Sequence, residues 1–244
     1  MNEVFYKDLG VVEYGKAWQM QEQLLQGNLL LKAEAYQHSA KTNPWKTGTV
    51  NHLLFCTHPH VLTLGKSGHK ENVLLNDQRL KELDISFYNT NRGGDITYHG
   101  PGQIVGYPIL DLELFFTDLG KYMRSLEEVI IHTLAHYNIA AGRLPGATGV
   151  WLDATIPGRA RKICAMGVRC SRWVTIHGFA LNVNTDLRYF GYIIPCGISD
   201  KAVTSMQQEL GVNVDEEEVK DLLKQEFEKV FEAKLITQQE PLLQ

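Results

Sequence analysis

Hydrophobic positions along this chain switch between a helical and an extended period. Tyr14, Ala17, Trp18, Gln21, Leu24 and Leu25 recur at helical spacing, and the helix they predict runs past Gly27 toward His38. Val50 to Cys56 and His60 to Leu64 read as strands parted by a turn at His58-Pro59. Ile85 to Asn89, Ile96 to Tyr98 and Ile104 to Leu110 are further strands, and Pro108 predicts an edge or a bulge in the last of them. Asp118 is placed to cap a helix with Tyr122, Leu126, Val129, Ile130, Leu134 and Tyr137 on its apolar face. Extended patterns return at Gly149 to Leu152, Lys162 to Cys170 and Trp173 to Asn184. Asp215 with Glu218 reads as a capping box for a helix burying Val219, Leu222, Leu223, Phe227, Val230 and Phe231. Strands do not alternate one-for-one with helices, so the predicted class is α+β with a mixed or antiparallel sheet flanked by helices. No repeat, low-complexity tract or linker divides residues 1–244; residues 203–244, with the turn Gly211-Val212-Asn213, are a candidate small C-terminal subdomain.

Composition narrows the function classes. A chain of 244 residues with 44% hydrophobic content can bury a large core. Its 24 Lys and Arg against 28 Asp and Glu give a net charge of −4, which argues against nucleic acid as the main partner. The N-terminus MNEVFYKDLG lacks the basic and apolar regions of a signal peptide, and no apolar run approaches membrane-spanning length. Cys56, Cys164, Cys170 and Cys196 are too scattered for a disulfide framework and form no CxxC pair for zinc. The expectation is a cytoplasmic protein with reduced thiols, no metal and no membrane partner. His58 and His60 form an HxH, but Pro59 between them favours a loop role.

Candidate chemistry gathers in three places. RGGDITYHGPGQ, Arg92 to Gln103, crowds four glycines and a proline around Arg92, Tyr98, His99 and Gln103. Two tight turns flanking a short strand, with polar residues between them, suit a binding loop whose backbone N–H groups meet a ligand. Cys196 ends an apolar strand in a Pro-Cys-Gly turn, where an electrophile can approach a thiol. A nucleophilic cysteine needs a nearby base or cation. Lys162 is one candidate: by strand period it shares a face with Cys164, Met166 and Val168, and an apolar face favours neutral lysine. Arg159 and Arg161 precede it, so it also fits the end of a solvated basic turn. His99 and His177 are the alternative bases, and spacing alone leaves the three open.

Val11 to Gln23, Thr63-Leu64-Gly65, RGGDITYHGPGQIVGYP from Arg92, Gly149-Val150-Trp151, RKICAMGVR from Arg161, TIHGFALNVN from Thr175 and PCGI from Pro195 together resemble the octanoyltransferases of protein lipoylation, also called lipoyl(octanoyl) transferases or lipoate-protein ligase B. The resemblance spans Leu9 to about Met206 and rests on several motifs in the family's order. It implies a biotin/lipoate protein ligase-like fold. It also implies transfer of an octanoyl group from octanoyl-acyl carrier protein to a lysine of lipoyl domains of 2-oxoacid dehydrogenase complexes and of the glycine cleavage H protein. The acyl-accepting thiol falls on Cys196 and its activating base on Lys162. The acyl-binding segments fall on Arg92, Gly93, Gly94, Asp95, Ile96, Thr97, Tyr98 and His99, on Ala165, Met166 and Gly167, and on Gly178, Phe179 and Ala180. Asp95 and Phe179 stand where the family varies. The implied reaction exchanges one thioester for another and needs no cofactor.

Two rival readings come from other classes. An ATP-dependent lipoate or biotin ligase of the same fold adenylates a free acid and has no need of Cys196. A non-catalytic module that sequesters acyl chains or carriers leaves Cys196 unacylated. Because acyl carrier proteins are acidic, Arg143, Arg159, Arg161, Arg169 and Arg172 are candidates for docking one.

Overall fold

The computed structural model describes residues 1–38, 48–194 and 202–237. Strand β1 (Asn2–Val11) leads into helix α1 (Tyr14–His38), whose start is tied down by Glu13: its carboxylate accepts the N–H groups of Gly15 and Lys16. Next come β2 (Asn51–Thr57), β3 (Val61–Leu64), the short helix α2 (Asp77–Glu82), β4 (Ser86–Asn89), β5 (Ile96–His99) and β6 (Gln103–Ile109). Helix α3 (Leu119–Ala135) is followed by β7 (Ala141–Gly142), β8 (Val150–Leu152), β9 (Arg161–Ser171) and β10 (Val174–Asn182). The described chain ends with β11 (Ala202–Val203), α4 (Met206–Leu210), α5 (Glu216–Phe231) and β12 (Ala233–Thr237).

The main sheet runs β12-β1-β2-β6-β10-β9-β8-β7, parallel where β1 meets β12 and β2, antiparallel along the rest. It is therefore mixed, as the pattern predicts. A small second sheet, β4-β3-β5, sits apart from it. Alternate residues of the central strands go to opposite cores. Leu53 and Phe55 face α3 and α5, while Leu54 and Cys56 face α1. Both faces of the sheet are covered, which is why β2 reads as a continuous apolar run. Asp118 caps α3 by accepting the Lys121 N–H, and Asp215 caps α5 by accepting from Glu217 and Glu218. Phe227 and Phe231 of α5 stack in the same core as Leu126 and Ile130 of α3, and β12 then pairs with β1.

Pro108 does not mark an edge, for β6 lies between β2 and β10. Its missing N–H is accommodated by a break in the β10 ladder, whose regular pairing ends at Phe179 opposite Gly106. There Thr175 supplies the bonds instead: its hydroxyl donates to Pro108 O at 2.9 Å and accepts the Leu110 N–H at 3.0 Å.

Helix α1 is fixed to the end of β6 by an ion pair. Lys32 Nζ lies 2.6 Å from Asp111 Oδ1 and 2.9 Å from Glu113, with the two side chains of the first pair 2% and 0% exposed. Removing the ammonium strands a buried carboxylate. Lys32→Met should lower unfolding stability by about 3–5 kcal/mol, and the double variant Lys32→Met/Asp111→Leu should recover a large part. Urea titration of the three proteins checks this; equal losses in the single and double variants would show that packing, not charge, carries the contact.

Candidate active site

A cavity of about 420 Å³ opens against β6, β9 and β10. Its floor exists because the strands carry almost no side chains there: Ala165 and Gly167 on β9, Gly178 and Ala180 on β10. Gly178 admits nothing larger, since a Cβ would sit 2.1 Å from Gly106 O. The roof is the segment 92–97, held by backbone bonds on both sides. Gly93 N–H donates to Val168 O at 2.9 Å, while Lys66 and Ser67 N–H donate to Arg92 O and Gly94 O. A Cβ at Gly167 would meet Gly93 O at 2.7 Å. The glycines thus serve backbone-on-backbone packing, and the Gly93 N–H is spent on β9 rather than turned to a ligand.

Of the sequence-predicted residues, Arg92, Gly93, Gly94, Asp95, Ile96, Thr97 and His99 line the cavity, as do Ala165, Met166, Gly167, Gly178, Phe179 and Ala180. Tyr98 does not. Its ring is wholly buried, stacks near Tyr189, and donates its hydroxyl to or accepts from His60 Nδ1 at 2.8 Å. Tyr98 belongs with Ile96 to the small sheet's own core, and of the two only Ile96 also reaches the cavity. His58 binds Val12 O and the Tyr107 hydroxyl, so the HxH histidines have separate structural partners. Among the described residues no group of His, Cys, Asp and Glu could hold a metal, and no helix is long and apolar enough to cross a membrane.

Lys162 lines the same cavity, but not by the route its spacing predicts. Strand period puts it with Cys164, Met166 and Val168. Instead the β8–β9 register slips between Val150, opposite Cys164, and Trp151, opposite Lys162. Ile163 and Cys164 both pack into the α3/α5 core as a result. The bulge turns Lys162 onto the face of Ala165 and Gly167, with Nζ 4.6 Å from the centre of the Trp151 ring. Strand β11 runs beside it, Val203 opposite Lys162, and both β11 residues line the cavity. Cys196 lies outside the described residues. The buried thiols Cys56 and Cys164 are pushed well above the ordinary range by desolvation, which suits packing rather than nucleophilic chemistry.

The two histidines at the cavity are electrically quiet. His99 Nδ1 donates to Gln103 Oε1 at 2.8 Å, because the Gln103 amide nitrogen donates to Asn182 Oδ1 and Tyr98 O. Burial, then His58 and Arg92, push His99 down from 6.5 to about 3, against a smaller upward effect of Gln103. Burial, then Arg92 and Arg169, bring His177 to about 3 as well. Both are neutral at pH 7. Arg92 is 7% exposed, its guanidinium donating to Thr63 O, Thr63 Oγ1 and Gly93 O.

Sequence reasoning missed Trp151 and Tyr107, both cavity walls. It also missed Glu127, whose wholly buried carboxylate accepts Gly149 N–H and pairs with Arg124 and Arg143. Glu127 thereby holds the 146–148 segment that closes one side. A glutamate at a core position of an amphipathic helix is the signal that was available. Three of the five arginines considered for docking are committed to carboxylates: Arg143 to Glu127 and Glu128, Arg161 to Asp153 and Glu209, Arg169 to Glu22.

The lipoyl protein ligase A/B catalytic domain matches residues 13–228. That span contains the cavity, its roof and Lys162. The chain belongs to the lipoyl protein ligase A/B catalytic-domain family. Within the family, the octanoyltransferase of Flavobacterium johnsoniae is 57% identical over 231 residues, 94% of this chain and 97% of its own. That of Cytophaga hutchinsonii is 53% identical over 229 residues, 94% and 93% of the two chains. By this kinship the protein is an acyltransferase of the octanoyltransferase type. Among solved structures, a bipartite lipoate protein ligase from Thermoplasma acidophilum superposes with a TM-score of 0.67 at 17% identity, covering 98% of this chain and 89% of that one. A lipoate-protein ligase A bound with ATP gives 0.64 at 17% identity, covering 98% and 90%. At that identity the likeness is one of fold, and it bears out the lipoate-ligase-like architecture.

The quiet histidines have a measurable signature in this family member. His52, brought to about 4 by burial, joins His99 and His177 at about 3. Each has a folded pKa below its unfolded 6.5, so its contribution is complete above pH 6.5 and is lost as pH falls toward 3. Each costs about 1.4 kcal/mol per pH unit in that window. Urea midpoints at pH 7, 6 and 5 should therefore drop with increasing steepness; a flat profile to pH 5 would show that these rings ionise in the folded state.

Proposed function

We propose that this enzyme transfers an octanoyl group from octanoyl-acyl carrier protein to a lysine of a lipoyl domain, through a thioester on Cys196. The observation that carries this reading is the 50–57% identity to octanoyltransferases over nearly the whole chain. The cavity floored by small residues and lined by Lys162 supports it. The chain from 1 to 244 acts as one catalytic domain in this proposal.

The thioester carbonyl of the donor approaches Cys196 while its alkyl chain lies on Ala165, Gly167, Gly178 and Ala180. Lys162 takes the thiol proton, and the thiolate attacks the carbonyl carbon. The tetrahedral intermediate collapses, the C–S bond to the carrier breaks, and the proton passes to the departing carrier thiolate. In the second half the target amine attacks the Cys196 thioester, the C–S bond breaks as the amide forms, and Lys162 passes the amine proton to the departing Cys196 thiolate, which restores both groups. One thioester replaces another and an amide follows downhill, so the sequence consumes no ATP. Trp151, whose ring centre lies 4.6 Å from Lys162 Nζ, is the positioning group for this base.

Cys196→Ala should fold and form no acyl adduct when the protein meets octanoyl-acyl carrier protein, as intact-protein mass spectrometry reads directly. Near-full turnover in that variant would end the covalent route. Activity with octanoate plus ATP, and none with the carrier thioester, would make the protein a ligase instead. Lys162→Met keeps the side-chain length and should slow acylation of Cys196 by roughly 10²-fold or more while donor binding survives. The pH dependence of iodoacetamide alkylation at Cys196 compares this variant with His99→Gln; a profile displaced only in the histidine variant would make Lys162 a bystander.

A further inference from the structure

Helix α3 carries a carboxylate on the side it buries. Glu127 is 0% exposed and shares that side with Leu126 and Ile130. An ion pair is a poor reason to keep it there, since apolar side chains of like volume commonly stabilise a core at least as well.

Its two oxygens divide their partners. Oε2 meets Arg124 Nη1 at 2.7 Å and Arg143 Nε at 2.9 Å, and those side chains stay 48% and 34% exposed. Oε1 accepts the Gly149 N–H at 3.1 Å in a contact that is itself buried. The arginines keep their access to solvent, whereas the bond to Gly149 is sealed from it.

Gly149 immediately precedes β8 and stands beside Lys162. It sits at φ +104°, and a Cβ on it would lie 2.5 Å from Cys164 O and 3.6 Å from Lys162 Cε. Its main chain is thus packed against β9 at the stem of the lysine. Two residues on, Trp151 pairs in register with Lys162 and presents its ring to Nζ. The slip that re-aims the lysine falls between Val150 and Trp151. Glu127 therefore holds the first residue of the stretch on which Lys162 rests.

We propose that Glu127 is a positioning residue for Lys162, acting through Gly149. This deepens the acyl-transfer reading above and rests on it. Tying the Gly149 N–H to α3 fixes where the chain enters the bulge, and with it the direction in which Lys162 leaves β9 for the cavity. Glu127 does not itself line the cavity, so its effect reaches the chemistry only through these neighbours. A displacement of about 1 Å at a catalytic group costs up to roughly 10²-fold in rate.

The test is a double-variant cycle on octanoyl transfer. Glu127→Met, of similar length but without an acceptor, should lower kcat roughly tenfold or more and leave KM for the carrier within about twofold. In a Lys162→Met background the same change should cost nothing further, because the group it acts on is gone. Glu127→Gln keeps an oxygen for the Gly149 N–H and gives up the charge; it should lose stability yet keep kcat within about threefold. Lys32→Met, weakened at the ion pair of α1, controls for stability alone and should keep its kcat. If Glu127→Met does not fold, Glu127→Asp stands in: it retains the charge, draws it back from Gly149 by one methylene, and should also lower kcat. Equal losses in the Met and Gln variants, or a loss that adds to that of Lys162→Met, mean that Glu127 serves the fold or another group. An unchanged kcat in every folded variant removes it from the site. Each of these results overturns the proposal. Reductive methylation of Lys162, mapped by mass spectrometry, reads the lysine without turnover. A labelling rate that rises in the Met variant but not in the Gln variant, in a protein lacking octanoyl transfer, would strike the assigned reaction and leave the positioning intact; a rate unmoved in both strikes the positioning.

Discussion

Everything at this site depends on backbone being allowed to approach backbone where side chains would ordinarily stand. Gly178 lies against Gly106, and Gly167 lies against Gly93. Because those contacts are made without side chains, the sheet keeps a hollow on one face while its other face is filled by α3 and α5. Dispersion and burial on the filled side stabilise the sheet, and the unfilled side is left for a ligand. An alanine at either glycine would have to move main chain, not a rotamer.

The second determinant is a single extra residue. Without the slip between Val150 and Trp151, Lys162 would point into the α3/α5 core beside Cys164. There its amine would be buried among apolar side chains instead of lining the cavity. The bulge lets β9 contribute apolar side chains to the core and one cation to the cavity within three residues. Bulges beside active sites commonly re-aim a side chain in this way, and the structure gives the displaced cation an aromatic face.

Most elements were legible because their periods were clean. α3 and α5 announced themselves by spacing and by the caps Asp118 and Asp215, and the buried strands by apolar runs between turn residues. β1 and β12 were not anticipated. They pair in parallel across some 230 residues of chain, and nothing local in either stretch encodes that partner. The cavity-lining residues were reached chiefly through resemblance, whose motifs fall on both its roof and its floor. Tyr98 was the exception, since a motif carries no record of which way a strand faces. The face of Lys162 was lost for the same reason: period-two counting cannot foresee a bulge. The contacts of His177 with Asn91 and of Asn91 with Glu22 escaped because they join segments far apart, and single-sequence patterns report neighbours.

The polar contacts that α1 makes beside the cavity bear on how the molecule is made. Glu22 reaches Arg169 across 147 residues and Gln21 reaches the His177 backbone across 156. Helix α1 emerges early in synthesis, with Trp18 already beside Glu22, yet Arg169 and the His177 N–H arrive only with the β9–β10 hairpin. The walls of the active site are therefore joined by contacts of long sequence separation, each of which closes a long loop at an entropy cost. A nascent or partly unfolded chain has no half-built pocket in which to hold an acyl chain; competence arrives only with the completed fold.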